Sequence, residues 1–473
     1  YDLVPWLPFL KQPGRGENYT TYPSLPFYED IDGEAEGVRY DYWLTVSELL
    51  QEAFYGPFCD WAAQHGVLAR VQAHGAQADV MAIYGRADIP ETETLAHNGR
   101  ADFIKMAASA AHQSGSGLAT AECFVHAGNP HMITPEAMKH EADQLFLAGI
   151  NQLIYHGYAY DTKVRDGSPW HPFVAPLPFT AALNQHSPFW RFLRPFNDYV
   201  ARVQLLLQSG RTAVPVAIFA TEFSCEDSER LGTMAQREEI VKRLMERGYA
   251  CDRISSGNLR RGALLNRQLE VGAAAYTAII AITEGRVACE DAEALAALAR
   301  GGLTVVLLGR GSVIEAGHLD HRARTARIRA ALAELECAVD TEAAVAAVAR
   351  RVVPNLRIDG SVDNIAFLEK RIGDRAFFFF RNETDAVRKL DVVLPRRTGV
   401  IERWDAWTGA ITEEANWGRA RDGVRLWLTL APNEMRIVGC EDGRVVAPAA
   451  ARSIESALTI PGPWALTAGR LVR

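Results

Sequence analysis

The sequence lacks paired cysteines, long apolar runs and an excess of basic charge. Its seven cysteines are odd in number and widely spaced, and none forms a Cys-x-x-Cys pair, so they indicate neither a zinc site nor a disulfide framework. No apolar stretch reaches the roughly 18 residues that a membrane span needs. The 50 basic and 58 acidic residues give a net charge of −8. Nucleic acid and anionic membranes are therefore poor partners.

The sequence shows no targeting segment. It opens on Tyr1, and no charged-then-apolar leader precedes the first folded-looking residues. We therefore expect a fragment or a processed form. Localisation stays open between the bacterial cytoplasm and the periplasm, and the oligomeric state is not indicated.

Length and patterning predict several domains. At about 150 residues per domain, 473 residues correspond to about three. Residues 1–222 alternate helical and strand patterns with about five strands, which predicts the later part of a (β/α)8 TIM-type barrel whose first strands are absent. Residues 223–350 repeat βα units like an open flavodoxin-like sheet. Residues 351–445 have the short alternating strands of a β-sandwich, and 446–473 begin a further, truncated β domain.

Polar residues end five runs of apolar or β-branched residues in the first segment. They are His74, Glu91, Glu122, His156 and Glu222. In an α/β barrel such strand ends meet at one rim, where the catalytic groups lie. Two carboxylates facing each other across a sugar-sized cleft suit glycoside hydrolysis, in which one protonates the leaving oxygen and the other activates water or attacks carbon. The sequence therefore predicts a glycosidase.

Other readings of these residues stay open. Asp88 and Glu91 fit a solvated turn as well as a site, and Glu222 competes with an ordinary acidic loop at Glu226 and Asp227. His74 and His156 suit either sugar hydroxyls or the core. Tyr158 and Trp170, in a proline-rich segment, are candidates to stack on a sugar ring. No GxSxG elbow supports a Ser-His-Asp triad, and the turn at Gly309 completes no nucleotide-binding pattern.

Several blocks of the sequence resemble glycoside hydrolase family 106, the α-L-rhamnosidases. They are Tyr1-Asp-Leu-Val-Pro-Trp-Leu-Pro, Ala87-Asp-Ile-Pro-Glu-Thr-Glu, Ala121-Glu-Cys-Phe, Trp404-Asp-Ala-Trp-Thr-Gly, and the long block from Glu141 to Gly157. The resemblance implies a barrel followed by a flavodoxin-like domain and β-sandwiches. It also implies an inverting exo-α-L-rhamnosidase that removes terminal rhamnose from plant or bacterial glycans or glycosides.

The resemblance also assigns roles to single residues. Glu91 matches one catalytic carboxylate of the family and Glu222 the other. Their carboxyl groups are then expected about 6.5 to 9.5 Å apart, as an inverting enzyme requires. Asp88 and Glu122 fall where the family keeps acidic residues near sugar or metal, and they supply the oxygen ligands that calcium prefers. A calcium ion beside the bound rhamnose is thus expected, with Asp88 or Glu122 as ligands.

Two alternatives remain at this stage. One is a β-galactosidase-like glycosidase of similar domain order. The other is a carbohydrate-binding fragment that is catalytically incomplete because barrel strands are absent. A rhamnose-containing carbohydrate is the expected ligand, except under the galactosidase reading.

Overall fold

The computed structural model describes residues 4–6, 34–95, 99–125, 133–156, 183–185, 187–221, 232–283, 285–309, 313–360 and 363–441. Within these ranges the chain is a mixed α/β protein whose elements form three units. The segment 446–473, predicted to begin a further β domain, lies outside them. Among the described helices, none combines the length and the apolar character that crossing a bilayer requires.

The first unit is a parallel sheet flanked by helices. Its strands are β1 (Arg70–Gln72), β2 (Ile89–Glu93), β3 (Thr120–Cys123) and β4 (Gln152–Tyr155), in the order β1-β2-β3-β4. Its helices are α1 (Glu34–Leu50), continued by a π-helical turn (Gln51–Tyr55), then α2 (Gly56–Gln64), α3 (Val80–Arg86), α4 (Ala101–Ser114), α5 (Pro135–Leu147) and, after a 3-10 turn (Trp190–Phe192), α6 (Leu193–Gln208). The four described strands form an open sheet rather than a closed barrel.

Helix α3 replaces part of a predicted strand. The apolar run before Asp88 was expected to be a strand, but Val80–Arg86 is helical. Asp79 caps this helix, because its side chain accepts a hydrogen bond of 2.9 Å from the Ala82 amide. Strand β2 consequently begins only at Ile89, so Glu91 lies inside the strand and Glu93 ends it.

The second unit is a doubly wound sheet. Its parallel strands are β6 (Val216–Ala220), β7 (Cys251–Ile254), β11 (Ala278–Ile282), β13 (Thr304–Leu308) and β15 (Glu336–Ala338); its helices are α7 (Thr233–Glu246), α8 (Ser256–Arg261), α9 (Cys289–Arg300), α10 (His321–Leu332) and α11 (Thr341–Ala349). Smaller sheets hold β8 (Ala263–Leu265), β9 (Gln268–Val271) and β10 (Ala274–Tyr276), and β12 (Arg286–Val287) with β14 (Ile314–Glu315). The order β7-β6-β11-β13-β15 is the 2-1-3-4-5 order of flavodoxin-like sheets.

Strand β6 corrects the predicted boundary between the first two units. The sequence reading placed the strand that begins at Val216 in the barrel and the boundary at 222. In the structure β6 pairs in parallel with β7 and β11, at the centre of the second sheet. Its four residues from Val216 to Phe219 are buried on both faces, so the apolar run fits either sheet and sequence pattern could not choose between them.

The third unit is a pair of antiparallel sheets. It contains β16 (Arg357–Asp359), β17 (Ile365–Ile372), β18 (Arg375–Asn382), β19 (Arg388–Pro395), β20 (Ile401–Trp404), β21 (Ile411–Glu413), β22 (Trp417–Ala420), β23 (Gly423–Leu430) and β24 (Met435–Glu441). One sheet has the order β16-β19-β23-β22, and the other has the order β21-β20-β24-β18-β17-β5, with β5 (Arg211–Thr212) as the added edge. The two sheets share one hydrophobic core, as a β-sandwich does.

The four phenylalanines of β18 show how the units are joined. Phe378 and Phe380 point into the core between the two sandwich sheets. Phe377 and Phe379 point the other way and belong to the core of the first unit. The larger sheet is therefore covered on both faces, which is why its strand reads as a continuous apolar run rather than an alternating one.

Candidate active site

One face of the first sheet carries a row of polar side chains. In the parallel register Gln72 lies beside Glu91, and Glu93 lies beside Glu122. Alternate residues of a strand point to the same face. The side chains that share this face are Arg70, Gln72, Glu91, Glu93, Thr120, Glu122, Gln152 and Ile154. His74 and His156 follow β1 and β4 at the carboxyl edge of the sheet, the edge at which parallel α/β enzymes bind their substrates.

Glu91, predicted to be a catalytic residue, is deeply buried on this face. Only 6% of the residue is exposed. Its Oε2 accepts a hydrogen bond of 2.8 Å from the Thr120 hydroxyl and lies 3.4 Å from a guanidinium nitrogen of Arg70. Burial raises the pKa of the Glu91 carboxyl, with the charge of Glu122 adding to the rise, while Thr120 and Arg70 oppose it. Such a carboxyl holds its proton to higher pH than a solvated one.

Glu122 lies nearer to solvent at the edge of the same face. Its side chain is 33% exposed. Oε2 accepts a hydrogen bond of 3.2 Å from the Gln72 amide, and Oε1 lies 3.5 Å from Nε2 of His156. The structure therefore brings Glu122 and His156 together, as the sequence reading expected. Glu91 and Glu122 stand on neighbouring strands, two residues apart in register, which separates their Cα atoms by about 8 Å.

Glu93 and His74 form a second pair on this edge. His74 Nε2 lies 3.6 Å from Glu93 Oε1, and both side chains are largely buried. Glu93 Oε2 also accepts a hydrogen bond from the Leu95 amide. Since Glu93 is the direct neighbour of Glu122 in the register, three carboxylates and two imidazoles line one edge.

Glu141 holds the loops that follow β2 and β3. This carboxylate belongs to α5 and is buried. Its Oε1 accepts hydrogen bonds from the Thr94 hydroxyl at 2.7 Å and from the Phe124 amide at 2.6 Å. Phe124 has a φ of +63°, a left-handed conformation that is costly for an aromatic residue. Glu141 thus stabilises the strained turn that directly follows Glu122 and Cys123.

Asp88 lies away from the other predicted site residues. It precedes β2, and its Oδ2 accepts a hydrogen bond of 2.8 Å from the Ala69 amide, just before β1. Glu122 pairs in register with Glu93, the last residue of β2. At about 3.3 Å per residue, the five residues from Asp88 to Glu93 separate their Cα atoms by about 16 Å along the strand. The structure thus places Asp88 at the opposite end of β2 from Glu122, and its predicted role at the sugar or at a metal stays a prediction.

Three predicted site residues, Tyr158, Trp170 and Glu222, lie outside the described residues. Of the segment near Glu222, the structure describes β6 and Thr221. Thr221 lines a cavity between the second sheet and helices α1 and α3, not the polar face of the first sheet. The expectation that the strand before Glu222 ends on the barrel rim is therefore wrong.

The described residues give little support for a metal centre. Over the ranges that the structure covers, no group of three His, Cys, Asp or Glu side chains has the arrangement of a metal site. Of the two predicted calcium ligands, Asp88 is committed to a backbone amide, and only Glu122 stands at the edge of the polar face. These residues do not make a calcium cage by themselves.

Sequence reasoning missed Arg70, Gln72, Thr120 and Glu93 as site residues. The sequence signal that could have identified them is the alternation of side chains along a strand, in which every second residue points to the same face. Once β2 is taken to run from Ile89, Glu91 and Glu93 fall on one face, and Arg70, Gln72 and His74 alternate in the same way on the preceding strand. The apolar residues Val80–Arg86 hid this pattern because their run was assigned to a strand.

Comparison with known proteins agrees with this architecture. The family model of glycoside hydrolase family 106, described as α-L-rhamnosidase, matches residues 1–417. The structure is similar to a rhamnosidase from Novosphingobium sp. PP1Y, with a TM-score of 0.71 and 22% identity over 90% of this chain and 41% of that one. It is also similar to a β-galactosidase from Bacillus circulans sp. alkalophilus, with a TM-score of 0.58 and 12% identity over 86% of this chain and 68% of that one.

A curated protein of Formosa agariphila, which carries a provisional β-glucuronidase name, is 23% identical over 425 residues. That alignment covers 87% of this chain but 34% of the relative. The chain thus spans about a third of the curated relative and 41% of the solved rhamnosidase. The family match extends over most of the chain, including the whole polar face of the first sheet. The chain belongs to glycoside hydrolase family 106, the α-L-rhamnosidase family.

Proposed function

We propose that the protein of which this chain is part is an inverting exo-α-L-rhamnosidase that releases terminal rhamnose from a glycan or glycoside. The observation that carries the proposal is the pairing on one sheet face of a buried carboxyl, Glu91, with a more exposed carboxylate, Glu122. Family membership supports the choice of rhamnose. We further propose that the open four-stranded sheet is part of a (β/α)8-type barrel, since its helices flank one face and its polar edge lies at the carboxyl ends of the strands.

Glu91 is suited to act as the general acid. Burial raises the pKa of its carboxyl, so it holds its proton to higher pH than a solvated glutamate does, as a proton donor to the glycosidic oxygen must. Thr120 and Arg70 both contact Oε2. They fix the orientation of the carboxyl group, and they stabilise the carboxylate that remains after the proton has left.

Glu122 is suited to act as the general base. As the bond between the anomeric carbon and the glycosidic oxygen breaks, Glu122 takes a proton from water, and the water oxygen bonds to the anomeric carbon from the opposite side. The aglycone leaves as an alcohol with the proton of Glu91, and rhamnose leaves with inverted configuration. Glu91 is then ionised and Glu122 protonated, and exchange with solvent restores both groups. Gln72 and His156 hold the Glu122 carboxylate in place.

Glu222 remains the alternative second carboxylate, on the family resemblance alone. Matched variants of the full-length protein, Glu122→Gln and Glu222→Gln, distinguish the two assignments of the general base. Azide is added to rescue activity, and the anomer of the product is followed by NMR. We expect a severe loss of activity in the Glu122 variant. Loss of activity in the Glu222 variant alone would identify Glu222 as the general base. Retention of the anomeric configuration would overturn the inverting mechanism.

The substrate proposal is tested with a panel of aryl glycosides. We expect the full-length protein to cleave the α-L-rhamnoside faster than the β-galactoside or the β-glucuronide. Those two competitors are chosen because a β-galactosidase shares the fold and a relative carries a glucuronidase name. Faster cleavage of either competitor would overturn the proposal that α-L-rhamnosides are the substrates. Binding of rhamnose without release from any aryl glycoside would favour a carbohydrate-binding role.

Calcium remains a prediction from the resemblance, with Glu122 as its one predicted ligand at the polar edge. We expect exhaustive EGTA treatment of the full-length enzyme to lower activity and added calcium to restore it. Elemental analysis before and after treatment serves as the control. Unchanged activity with no calcium found would remove the ion from the mechanism.

A further inference from the structure

A cavity of about 430 Å³ lies where the second and third units meet, at the amino end of the second sheet. Residues 213–215, which lead into β6, form one wall, and Thr277, which precedes β11, belongs to the same wall. The hairpin of β9 and β10, the sandwich strands β17 and β19, and the segments 351–355 and 396–397 form the rest of the lining. We call this cavity the arginine pocket, after the five arginines that line it: Arg211, Arg351, Arg371, Arg396 and Arg397.

The arginine pocket has an uneven charge balance. Glu369 is the acidic residue in its lining, and Glu336, outside the lining, forms an ion pair with Arg351. The five arginines and these two carboxylates give a formal charge of +3. That concentration occurs on a chain whose net charge is −8. Arg211 and Arg396 form no ion pair with any residue that the structure describes. Like charges held together raise the free energy of the folded state unless a counter-ion is present.

A buried carboxylate fixes part of this cluster. Glu369 is only 1% exposed. Its Oε1 accepts hydrogen bonds from Arg371 at 2.9 Å and Arg397 at 2.8 Å, and its Oε2 accepts one of 2.9 Å from the Asn355 amide. Both guanidinium groups are thereby held on the cavity wall, and a fixed guanidinium loses less freedom when it binds a ligand.

Two local features are unfavourable without a ligand. Arg211 of β5 stands directly opposite Arg371 of β17 in the antiparallel register, and like charges in such cross-strand pairs are destabilising. Arg396 has a φ of +62°, a left-handed conformation that non-glycine residues seldom adopt. Strain of this kind is found where a structure positions a group for function.

We propose that the arginine pocket binds a small oxyanion, either a free ion or the sulfate, phosphate or carboxylate group of a sugar. Guanidinium groups match these anions because their N–H donors form a planar fork that pairs with two oxygens. The volume is within the range of small-molecule sites and is large enough for a monosaccharide that bears the anion. The pocket lies apart from the polar face of the first sheet and does not depend on the proposed glycosidase activity.

The test is a binding titration of the full-length protein with inorganic phosphate and inorganic sulfate at constant ionic strength, with chloride as the reference. Isothermal calorimetry gives the dissociation constant, and the unfolding temperature gives a second readout. We expect saturable binding of phosphate or sulfate at one site and no saturable response to chloride. An equal response to all three anions would show an adventitious ion only and would overturn the proposal.

Two variants make the test specific to the pocket. Arg211→Gln removes the like-charge pair, so it should raise the unfolding temperature without phosphate while weakening phosphate binding at least tenfold. Arg396→Gly keeps the left-handed backbone and removes the guanidinium, so it should fold normally and also bind more weakly. Arg322→Gln and Arg329→Gln on α10 lie outside the pocket lining and serve as matched controls. Phosphate affinity unchanged in both pocket variants would refute the site.

A comparison of charged sugars with inorganic ions shows whether the pocket binds a free oxyanion or an anionic group of a sugar. Glucose 6-sulfate and glucuronate are titrated beside inorganic sulfate. Tighter binding of a charged sugar than of the inorganic ion, again weakened by Arg211→Gln, would identify a site for acidic sugars. Binding of the inorganic ion alone would identify a site for the free ion. We expect the pocket variants to keep the rhamnosidase activity of the native protein, because the pocket lining lies apart from Glu91 and Glu122.

Discussion

At the residue scale, Glu91 illustrates a conflict between stability and chemistry. A buried carboxyl is most stable when it is neutral. The pKa of Glu91 is raised chiefly by burial, although Thr120 and Arg70 favour the ionised form. The group is thus less stable as an ion than it would be in water, and this is the property that a proton donor needs at neutral pH.

We predict that Glu91→Gln lowers kcat of the full-length enzyme about 10²- to 10⁴-fold, the range typical of a lost general acid, and makes the protein more stable at neutral pH. When the pKa of a carboxyl is higher in the folded than in the unfolded protein, the neutral carboxyl favours the folded state. This contribution to the free energy of unfolding is complete below the unfolded pKa and is lost as the pH rises through the folded pKa. Glutamine stays neutral throughout, so the variant should lack this loss.

Urea unfolding of both proteins from pH 4 to pH 8 measures the effect. Glu93→Gln is the control, since it changes a neighbouring carboxylate on the same face. A pH dependence of stability that is identical in Glu91→Gln and the native protein would contradict the assignment. An aryl rhamnoside with a good leaving group should be less sensitive to the substitution than the natural glycoside, because its departure needs little protonation.

At the element scale, helix α5 links the two strands that carry the site. Glu141 receives hydrogen bonds from Thr94 after β2 and from Phe124 after β3. The helix begins after Thr134, because the Thr134 hydroxyl accepts a 3.1 Å hydrogen bond from the Ala137 amide and Pro135 occupies the first turn. Glu141 is thereby placed as a positioning residue for Glu122, not as a catalytic one.

We predict that Glu141→Ala lowers kcat about tenfold or more and changes KM less. Without the carboxylate the Phe124 amide loses its acceptor, and a left-handed backbone costing about 1 to 2 kcal/mol is no longer compensated. Phe124→Gly placed in the Glu141→Ala background should restore part of kcat, because glycine adopts this conformation without strain.

Steady-state kinetics on the α-L-rhamnoside provide the measurement, and Glu136→Ala on the exposed first turn of the same helix is the control. Glu141→Gln, which keeps an oxygen acceptor, should lie between the native protein and Glu141→Ala. If Glu141→Ala and Glu141→Gln had the same kcat as the native protein, Glu141 would have no positioning role. Loss of the α5 fold, visible by circular dichroism, would identify a purely structural role instead.

At the scale of the whole molecule, α4 is shared between the first and second units. It lies against β2 on one side and against β7 and α7 on the other. Asp102, in its first turn, is fully buried and accepts hydrogen bonds of 2.9 Å from Arg237 of α7. Glu238 of α7 accepts hydrogen bonds from the Ala101 and Asp102 amides, which satisfies the amino end of α4. The interface is therefore held by buried charge as well as by apolar packing.

We predict that Asp102→Asn destabilises the junction of the two units by about 3 to 5 kcal/mol, since it removes the buried negative charge that Arg237 and Arg253 both face. The double variant Asp102→Asn with Arg237→Met should be markedly more stable than the single one. The exposed pair of Arg327 and Glu293 gives the control, and Glu293→Gln should cost no more than about 1 kcal/mol.

Urea unfolding followed by fluorescence and circular dichroism tests this, with coincidence of the two transitions as the check on cooperativity. We expect the transitions to separate in Asp102→Asn, because the junction fails before the units do. A double variant no more stable than the single one would contradict the ion-pair argument, since restoring neutrality would then give no benefit.

Local signals determined many elements of this protein from sequence alone. The start of α5 follows from Thr134 and Pro135, and short alternating strands such as Gly423–Leu430 predict a sandwich. The alternation of helices such as Thr233–Glu246 with strands such as Thr304–Leu308 agrees with the repeated βα units predicted for residues 223–350. These signals act through hydrogen bonds and side-chain periodicity within one element, so a single sequence contains them.

Tertiary structure decided which sheet each strand joined and which residues met. Val216–Ala220 reads as a buried strand in either unit, and only its pairing with β7 and β11 places it in the second. Val80–Arg86 reads as a strand until the Asp79 cap and packing make it a helix. Glu91 was predicted from the sequence, but its contacts with Arg70 and Thr120 were not, and neither was the position of Asp88 at the far end of β2. Register, and with it burial and pKa, depends on contacts between distant segments, and a local pattern does not encode those contacts.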